Sequence, residues 1–244
     1  MPTMADGECQ QDRLIAMMAA EWGAPIGYKV GLASRAAQRG LGVDAPIAGV
    51  LFDGMILEDI AGEERPVIAL RTGALLVFEL DLLARISSDD IAAASTIEEV
   101  ASRIDQIIPF IEVPDLMIRP GAAISAPLVA AMNVAPRWGV VGKPIAVDDP
   151  AVMADALAAF SARLETGAGD LLAAGRGSDL DGHPYNIALF LIAEAARRGW
   201  TLRQGDYISL GSLGAFKVAI PGLTVRAVYE GLPGGTAEVS VRFE

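Results

Sequence analysis

Leu75–Arg85 reads LLVFELDLLAR, with two acids, Glu79 and Asp81, two positions apart in an otherwise apolar run. Alternate side chains of a strand share a face. Both carboxylates therefore project one way, while Phe78, Leu80 and Leu82 project the other way, into a core. Two like charges side by side are costly to bury without a positive partner. The run supports either a half-exposed strand with its acids in water or a site for a hard divalent cation, because Mg²⁺ and Mn²⁺ take oxygen ligands.

Downstream, Ile107–Asp115 reads IIPFIEVPD, which predicts a short strand over Ile108–Val113 carrying Glu112 and ended by Pro114. A third carboxylate completes a usual Mg²⁺ donor set and leaves room for water and substrate. Upstream, Ile26–Ser34 reads IGYKVGLAS, a strand with Lys29 in its middle and Gly27 and Gly31 on either side. Such a lysine either buries its stem and keeps its head in water, or is a cation aimed at an anionic ligand. The glycines allow another backbone or a ligand to approach closely.

Composition narrows the classes of function. A chain of 244 residues that is 52% hydrophobic has ample material for a core, and a net charge of −12 argues against binding to nucleic acid or an anionic membrane. The single cysteine, Cys9, excludes an intramolecular disulfide, suits a reducing cytoplasm, and lies near a terminus expected to be mobile. The opening MPTMADGECQQD is polar and acidic, unlike a signal peptide, and the longest uncharged run, Pro120–Pro136, is too short to span a bilayer.

Along the chain, Gln10–Trp22 predicts an amphipathic helix stopped by Gly23 and Pro25. Ser34 caps a short helix over Arg35–Leu41, and Met55–Ile60 and Pro66–Leu70 read as strands paired around AGEER. Thr96 and Glu98–Glu99 open a helix running to Ile107, and Ser125–Met132 is a small apolar helix leading to Asn133. Pro150–Arg163 fits helix or strand, followed by a turn over Glu165–Gly169 and a strand from Asp170. His183-Pro184 opens a helix closed by Gly199, and four short strands occupy the tail. The pattern predicts one α+β domain on a curled sheet or roll.

No GxSxG elbow, Walker loop or GxGxxG turn is present, and one histidine and one cysteine cannot build a zinc site. His183, at a helix start, reads as a turn or capping residue.

Four motifs fall in one order: GYKVGLASRAAQ, the Glu79-x-Asp81 strand, IPFIEVPD, and GHPYNIALFLIAEAARRGWTLRQGDYISLGSL over Gly182–Leu213. Together they resemble the 2-keto-4-pentenoate hydratase / 2-oxo-3-hexenedioate decarboxylase family of the fumarylacetoacetase-like superfamily, across Ile26 to Phe243. The resemblance implies a mixed β-roll of the fumarylacetoacetase C-terminal-domain type with peripheral helices, spanning 26–244 after an N-terminal helical segment over 1–25. It implies Mg²⁺ or Mn²⁺ on Glu79, Asp81 and Glu112, with Asp81 one methylene shorter than the family's usual Glu. Lys29 and Ser212 carry over as catalytic residues, and Lys29, Asn133, Gly211 and Ser212 as substrate-binding residues. The implied activity is a lyase that adds water to a 2-hydroxy-2,4-dienoate, as in aromatic meta-cleavage catabolism. Alternatives are a 2-oxo-3-enedioate decarboxylase, an acylpyruvate-type hydrolase, or a non-catalytic partner subunit. A cytoplasmic homo-oligomer that can associate with a related decarboxylase or hydratase is expected. Where the family commonly has an acid after a proline, Pro46 is followed by Ile47, and the loop after the Ser125 helix carries Arg137 and Trp138. Arg35, Arg137 and Lys143 are candidates for a second substrate carboxylate.

Overall fold

The computed structural model describes residues 2–119 and 121–244; Pro120, which opens the uncharged run to Pro136, lies outside them. In chain order the elements are α1 (Met4–Trp22), β1 (Pro25–Gly31), α2 (Arg35–Leu41), β2 (Ile47–Phe52), β3 (Ile56–Glu58), β4 (Val67–Ile68), β5 (Val77–Ile86), α3 (Ile97–Ala101), β6 (Ile104–Val113) and α4 (Ala126–Ala131). There follow β7 (Trp138–Val141), β8 (Ile145–Ala146), α5 (Pro150–Ala159), β9 (Ser161–Thr166), β10 (Leu171–Arg176), α6 (Pro184–Arg198), β11 (Tyr207–Ser209), β12 (Lys217–Val218), β13 (Thr224–Glu230) and β14 (Ala237–Phe243).

The strands form two sheets. The larger runs β2-β1-β11-β5-β6-β7-β3, with β12 and β8 added to β5 and β6; the smaller runs β10-β9-β13-β14-β4. Phe78, Leu80 and Leu82 point into the main core, as their alternation requires, and share it with Val225, Tyr229 and Val241 of the smaller sheet. The opposite face of the larger sheet holds a small apolar cluster of Leu51, Leu83, Ile108 and Phe110, beside the acids. This is the α+β curled-sheet architecture that the sequence predicts.

Several expectations are corrected. β3 and β4 do not pair with each other: β3 runs parallel to β7 and β4 parallel to β14, so the AGEER stretch crosses between sheets. That crossing is pinned by Ser240, which donates to Asp59 and accepts from Arg65. The helix opened by Thr96 keeps its capping box with Glu99 but ends at Ala101, and β6 starts at Ile104. Buried, β-branched Ile104, Ile107 and Ile108 prefer the pleated surface, and Asp105 pairs with Arg85 across the strands at 2.8 Å. The stretch 150–163 is both of its alternatives in turn, a helix capped by Asp149 and then a strand that includes Glu165.

α1 begins at Met4 rather than Gln10, closed by a Thr3–Asp6 capping box, so Cys9 sits exposed on a helix rather than near a mobile terminus. Gly7 hides this helix from a propensity reading, yet it lets the helix backbone press on Pro127, where a side chain would clash. α2 keeps its Ser34 cap and left-handed Gly42, and α6 its Pro184 and Gly199.

Candidate active site

β5 and β6 pair antiparallel with Glu79 opposite Glu112 and Asp81 opposite Phe110, which puts all three carboxylates on one face. β11 lies on the other side of β5, and β1 lies beyond it, so Lys29 reaches the same face from two strands away. Lys29, Asp81 and Glu112 are each 1% exposed, and Glu79 is half-buried. Lys29 Nζ ion-pairs with Glu112 Oε1 and donates to the Val134 carbonyl at 2.7 Å.

That carbonyl is delivered by an unusual loop. Asn133, Val134 and Ala135, after α4, all take left-handed backbone angles, with φ of 54°, 57° and 55°. A Cβ on Gly49 would come within 2.6 Å of the Asn133 carbonyl, and one on Gly31 would strike Val134. Of the two glycines flanking Lys29, Gly27 admits the backbone of Tyr207, one of the two approaches the sequence leaves open, and Gly31 admits the Val134 side chain. Asn133 is fully buried: its Oδ1 accepts from Val50 N (2.9 Å) and Gln11 Nε2 (3.1 Å), and its Nδ2 donates to the Val50 carbonyl (3.0 Å). Its amide clamps the free edge of β2 to α1, which leaves no side-chain hydrogen-bonding group turned to a substrate.

Burial, with Glu112 alongside, pushes the Glu79 carboxyl up to about 8, with Lys29 opposing and Asp81 adding. Burial and Glu112 likewise raise Asp81 to about 7, opposed by hydrogen bonds from Ser209 Oγ (2.6 Å) and Leu82 N (2.5 Å). Glu112 is raised by burial, against the pull of Lys29. One ammonium thus faces three carboxylates in a poorly solvated layer. Lys29, on Oε1, is the sole cationic partner of Glu112 among the described residues, and its Oε2 has no hydrogen-bond partner.

The unpartnered Glu112 Oε2 and the all-oxygen donor set fit a hard cation. Among the described residues no three His, Cys, Asp or Glu side chains form a ready-made cage. Asp81 is instead engaged by Ser209 and Glu112 by Lys29.

Gly211 is buried with φ of 100°, and a Cβ there would lie 2.9 Å from that of Ala33. The Ser212 hydroxyl is buried with no hydrogen-bond partner. The flanking Leu210 and Leu213 amides donate to Leu82 and Leu80 of β5, which hold this segment beside the acidic strand. Ile47 packs against Ala126, Ala130 and Val134, so its seat is apolar. His183 caps α6 through Nδ1 and accepts from the Tyr185 amide at 3.0 Å.

Ser209, Gln11 and Tyr229 escape the sequence reading. Ser209 had a signal, since it alternates with apolar Ile208 and Leu210 on a strand already recognised. Tyr229 donates to the Asp81 carbonyl at 2.5 Å and bridges to β6 from the other sheet, a contact that no local pattern encodes. A cleft of about 650 Å³ between residues 59–65, 143–148 and 233–240 contains none of the acids or Lys29.

No family model matches the chain. The chain is 29% identical over 207 residues to a 2-keto-4-pentenoate hydratase of Burkholderia vietnamiensis (strain G4 / LMG 22486), covering 85% of this chain and 75% of that relative. It is 26% identical over 227 residues to a 4-oxalocrotonate decarboxylase of Pseudomonas putida, covering 89% and 77%. In structure it matches 4-oxalocrotonate decarboxylase from Pseudomonas putida G7, complexed with magnesium and adipate, at a TM-score of 0.84 and 24% identity over 99% of this chain and 86% of that one. The fold is that of the fumarylacetoacetate hydrolase family.

Proposed function

We propose, from this chain's kinship with the 2-keto-4-pentenoate hydratases and its fumarylacetoacetate hydrolase fold, that it is a divalent-metal-dependent lyase adding water to a 2-hydroxy-2,4-dienoate or 2-oxo-enoate. The observation that carries the reading is the layer of Glu79, Asp81 and Glu112 facing Lys29, with Glu112 Oε2 left without a hydrogen-bond partner. Glu79, Asp81 and Glu112 would hold Mg²⁺ or Mn²⁺. A divalent cation bound there supplies Lewis-acid polarisation of a 2-oxo acid's carbonyl.

The chain's own groups do the rest. Lys29, paired with Glu112 within the layer, is placed to move a proton at the substrate. Ser212 offers a buried hydroxyl with no internal partner, ready to donate to the substrate's carboxylate or oxo group. Gly211 turns the chain within the segment whose Leu210 and Leu213 amides hold it beside β5. Ser209 fixes Asp81 in its rotamer. A decarboxylase acting at the same layer is the second reading, favoured by the decarboxylase among the relatives. The enzyme is expected to be cytoplasmic and homo-oligomeric and able to associate with a related decarboxylase or hydratase. No helix among the described residues is long and apolar enough to cross a membrane.

The test is a spectrophotometric assay on freshly generated 2-hydroxypenta-2,4-dienoate with Mg²⁺ or Mn²⁺ and with chelator. Metal-dependent loss of the dienoate absorbance, abolished in Glu79→Ala, is expected. Unchanged absorbance with Mg²⁺ still bound by calorimetry would sink the hydratase reading. Turnover of 2-oxo-3-enedioates would then favour the decarboxylase, and inertness to both a partner subunit.

A further inference from the structure

The inmost side chain of α1 is polar. Only Gly7 and Gln11 of this helix are buried, whereas Leu14, Ile15 and Met18 of its apolar stripe are half-buried. Gln11 Nε2 donates to the Ala48 carbonyl at 2.7 Å and to Asn133 Oδ1 at 3.1 Å, and its Oε1 accepts from Arg198 Nη1 at 2.8 Å. Both donors and the oxygen are engaged, so the amide has one orientation. Arg198 is fixed in turn by Asp12 at 2.5 Å and by Trp200, whose ring centre lies 4.7 Å from its guanidinium carbon. A helix that only covered apolar surface would carry Leu or Met at that position, because a buried amide is costly unless its partners are set.

Both Gln11 donations end beside Lys29. Ala48 is the register partner of Val30, next to the Lys29–Gly49 pair. Asn133 opens the left-handed turn whose Val134 carbonyl accepts from Lys29 Nζ at 2.7 Å. Left-handed backbone is unfavourable for a β-branched residue such as Val134 and persists only where the surroundings hold it. Asn133 holds one end of the turn through Val50 and Gln11, and at the other end the Ala135 carbonyl accepts from the Asp115 amide at 3.0 Å. Val50 and Asp115 belong to the sheet and its exit loop; Gln11 brings α1 to the turn.

We infer that Gln11 is a positioning residue for Lys29: through Asn133 and Ala48 it holds the turn and the strand that fix the ammonium beside Glu112, which makes α1 a working part of the acidic layer. This rests on the function proposed above. Gln11 contacts Asn133, Ala48 and Arg198 and acts on the chemistry through the lysine. A lysine anchored on the Val134 carbonyl keeps its place when a cation and substrate enter, and one freed from it can swing aside.

The test is a double-substitution cycle read by calorimetric titration with Mg²⁺. A lysine that swings aside opposes the cation less, so Gln11→Met should bind Mg²⁺ about three- to tenfold more tightly. Added to Lys29→Met, the same substitution should leave the Mg²⁺ affinity of that variant unchanged. With 2-hydroxypenta-2,4-dienoate, Gln11→Met should lower kcat by about ten- to a hundredfold at nearly constant KM. Should Gln11→Met fail to fold by near-ultraviolet circular dichroism, Gln11→Glu goes through the same cycle; it keeps the length and the Arg198 contact but cannot make both donations. An equal change of Mg²⁺ affinity in both backgrounds, or none in either, would overturn the inference alone. Absence of Mg²⁺ binding to the unsubstituted protein would overturn the proposed function and the inference together.

Discussion

Asn133 and Glu79 differ in how far a sequence reading reaches. The amide of Asn133 joins Val50, Gln11 and α1, so Asn133→Ala leaves several buried backbone and side-chain groups unpaired. A loss of about 2–4 kcal/mol is expected, read as a lower midpoint in urea unfolding. If ligand affinity fell while the midpoint held, the amide would belong to the substrate instead. Glu79 and Asp81 could be read from the sequence because strand alternation alone puts them on one face, whereas Glu112 joins them only through the register of β6 against β5. Lys29 could be read because a charge inside an apolar strand needs a partner, and Glu112 is that partner. The destination of Asn133, like the role of Tyr229, depends on which distant strand edge arrives beside it.

At the scale of elements, close packing and caps decide. Gly49→Ala would drive a methyl group to 2.6 Å from the Asn133 carbonyl and displace the loop that holds Lys29. It should cost about 1–3 kcal/mol by overpacking, measured by chemical denaturation. Gly40→Ala is the contrasting case, because it lies in α2 with open space where its methyl would go. It should stabilise by about 0.5–1 kcal/mol, and a loss of stability there would overturn the assignment of α2. α2 and α6 were legible because Ser34, His183-Pro184 and the two closing glycines mark their ends. The boundary near Ile104 was not, since the Thr96 cap starts a helix without saying where long-range pairing with β5 will stop it.

For the molecule as a whole, the acidic layer sets how stability responds to pH. Glu79 and Asp81, at about 8 and about 7 in the folded protein, lie above their ordinary 4.5 and 3.8. The folded state therefore holds more protons than the unfolded chain across that window. This contribution is complete below about pH 4 and is lost as pH rises through about 7 and 8. Metal-free Glu79→Gln should accordingly lose less Tm than the unsubstituted protein between about pH 5 and pH 9, and identical slopes would refute the raised carboxyl. Added Mg²⁺, which competes with those protons, should stabilise increasingly over the same range. The curled α+β class was legible from many short strands and the ordered motifs, but the strand order was not. β11 carries only three residues and no pattern says that it inserts between β1 and β5. That insertion also orders events in time. The β5–β6 hairpin can close from nearby chain, whereas β1 must wait for Tyr207–Ser209, in the last fifth of the sequence, to reach it. Contacts of such wide separation form late. A refolding chain thus first brings its acids together and only afterwards docks the strand that carries their lysine, so the layer passes through a stage of unrelieved repulsion before it is finished.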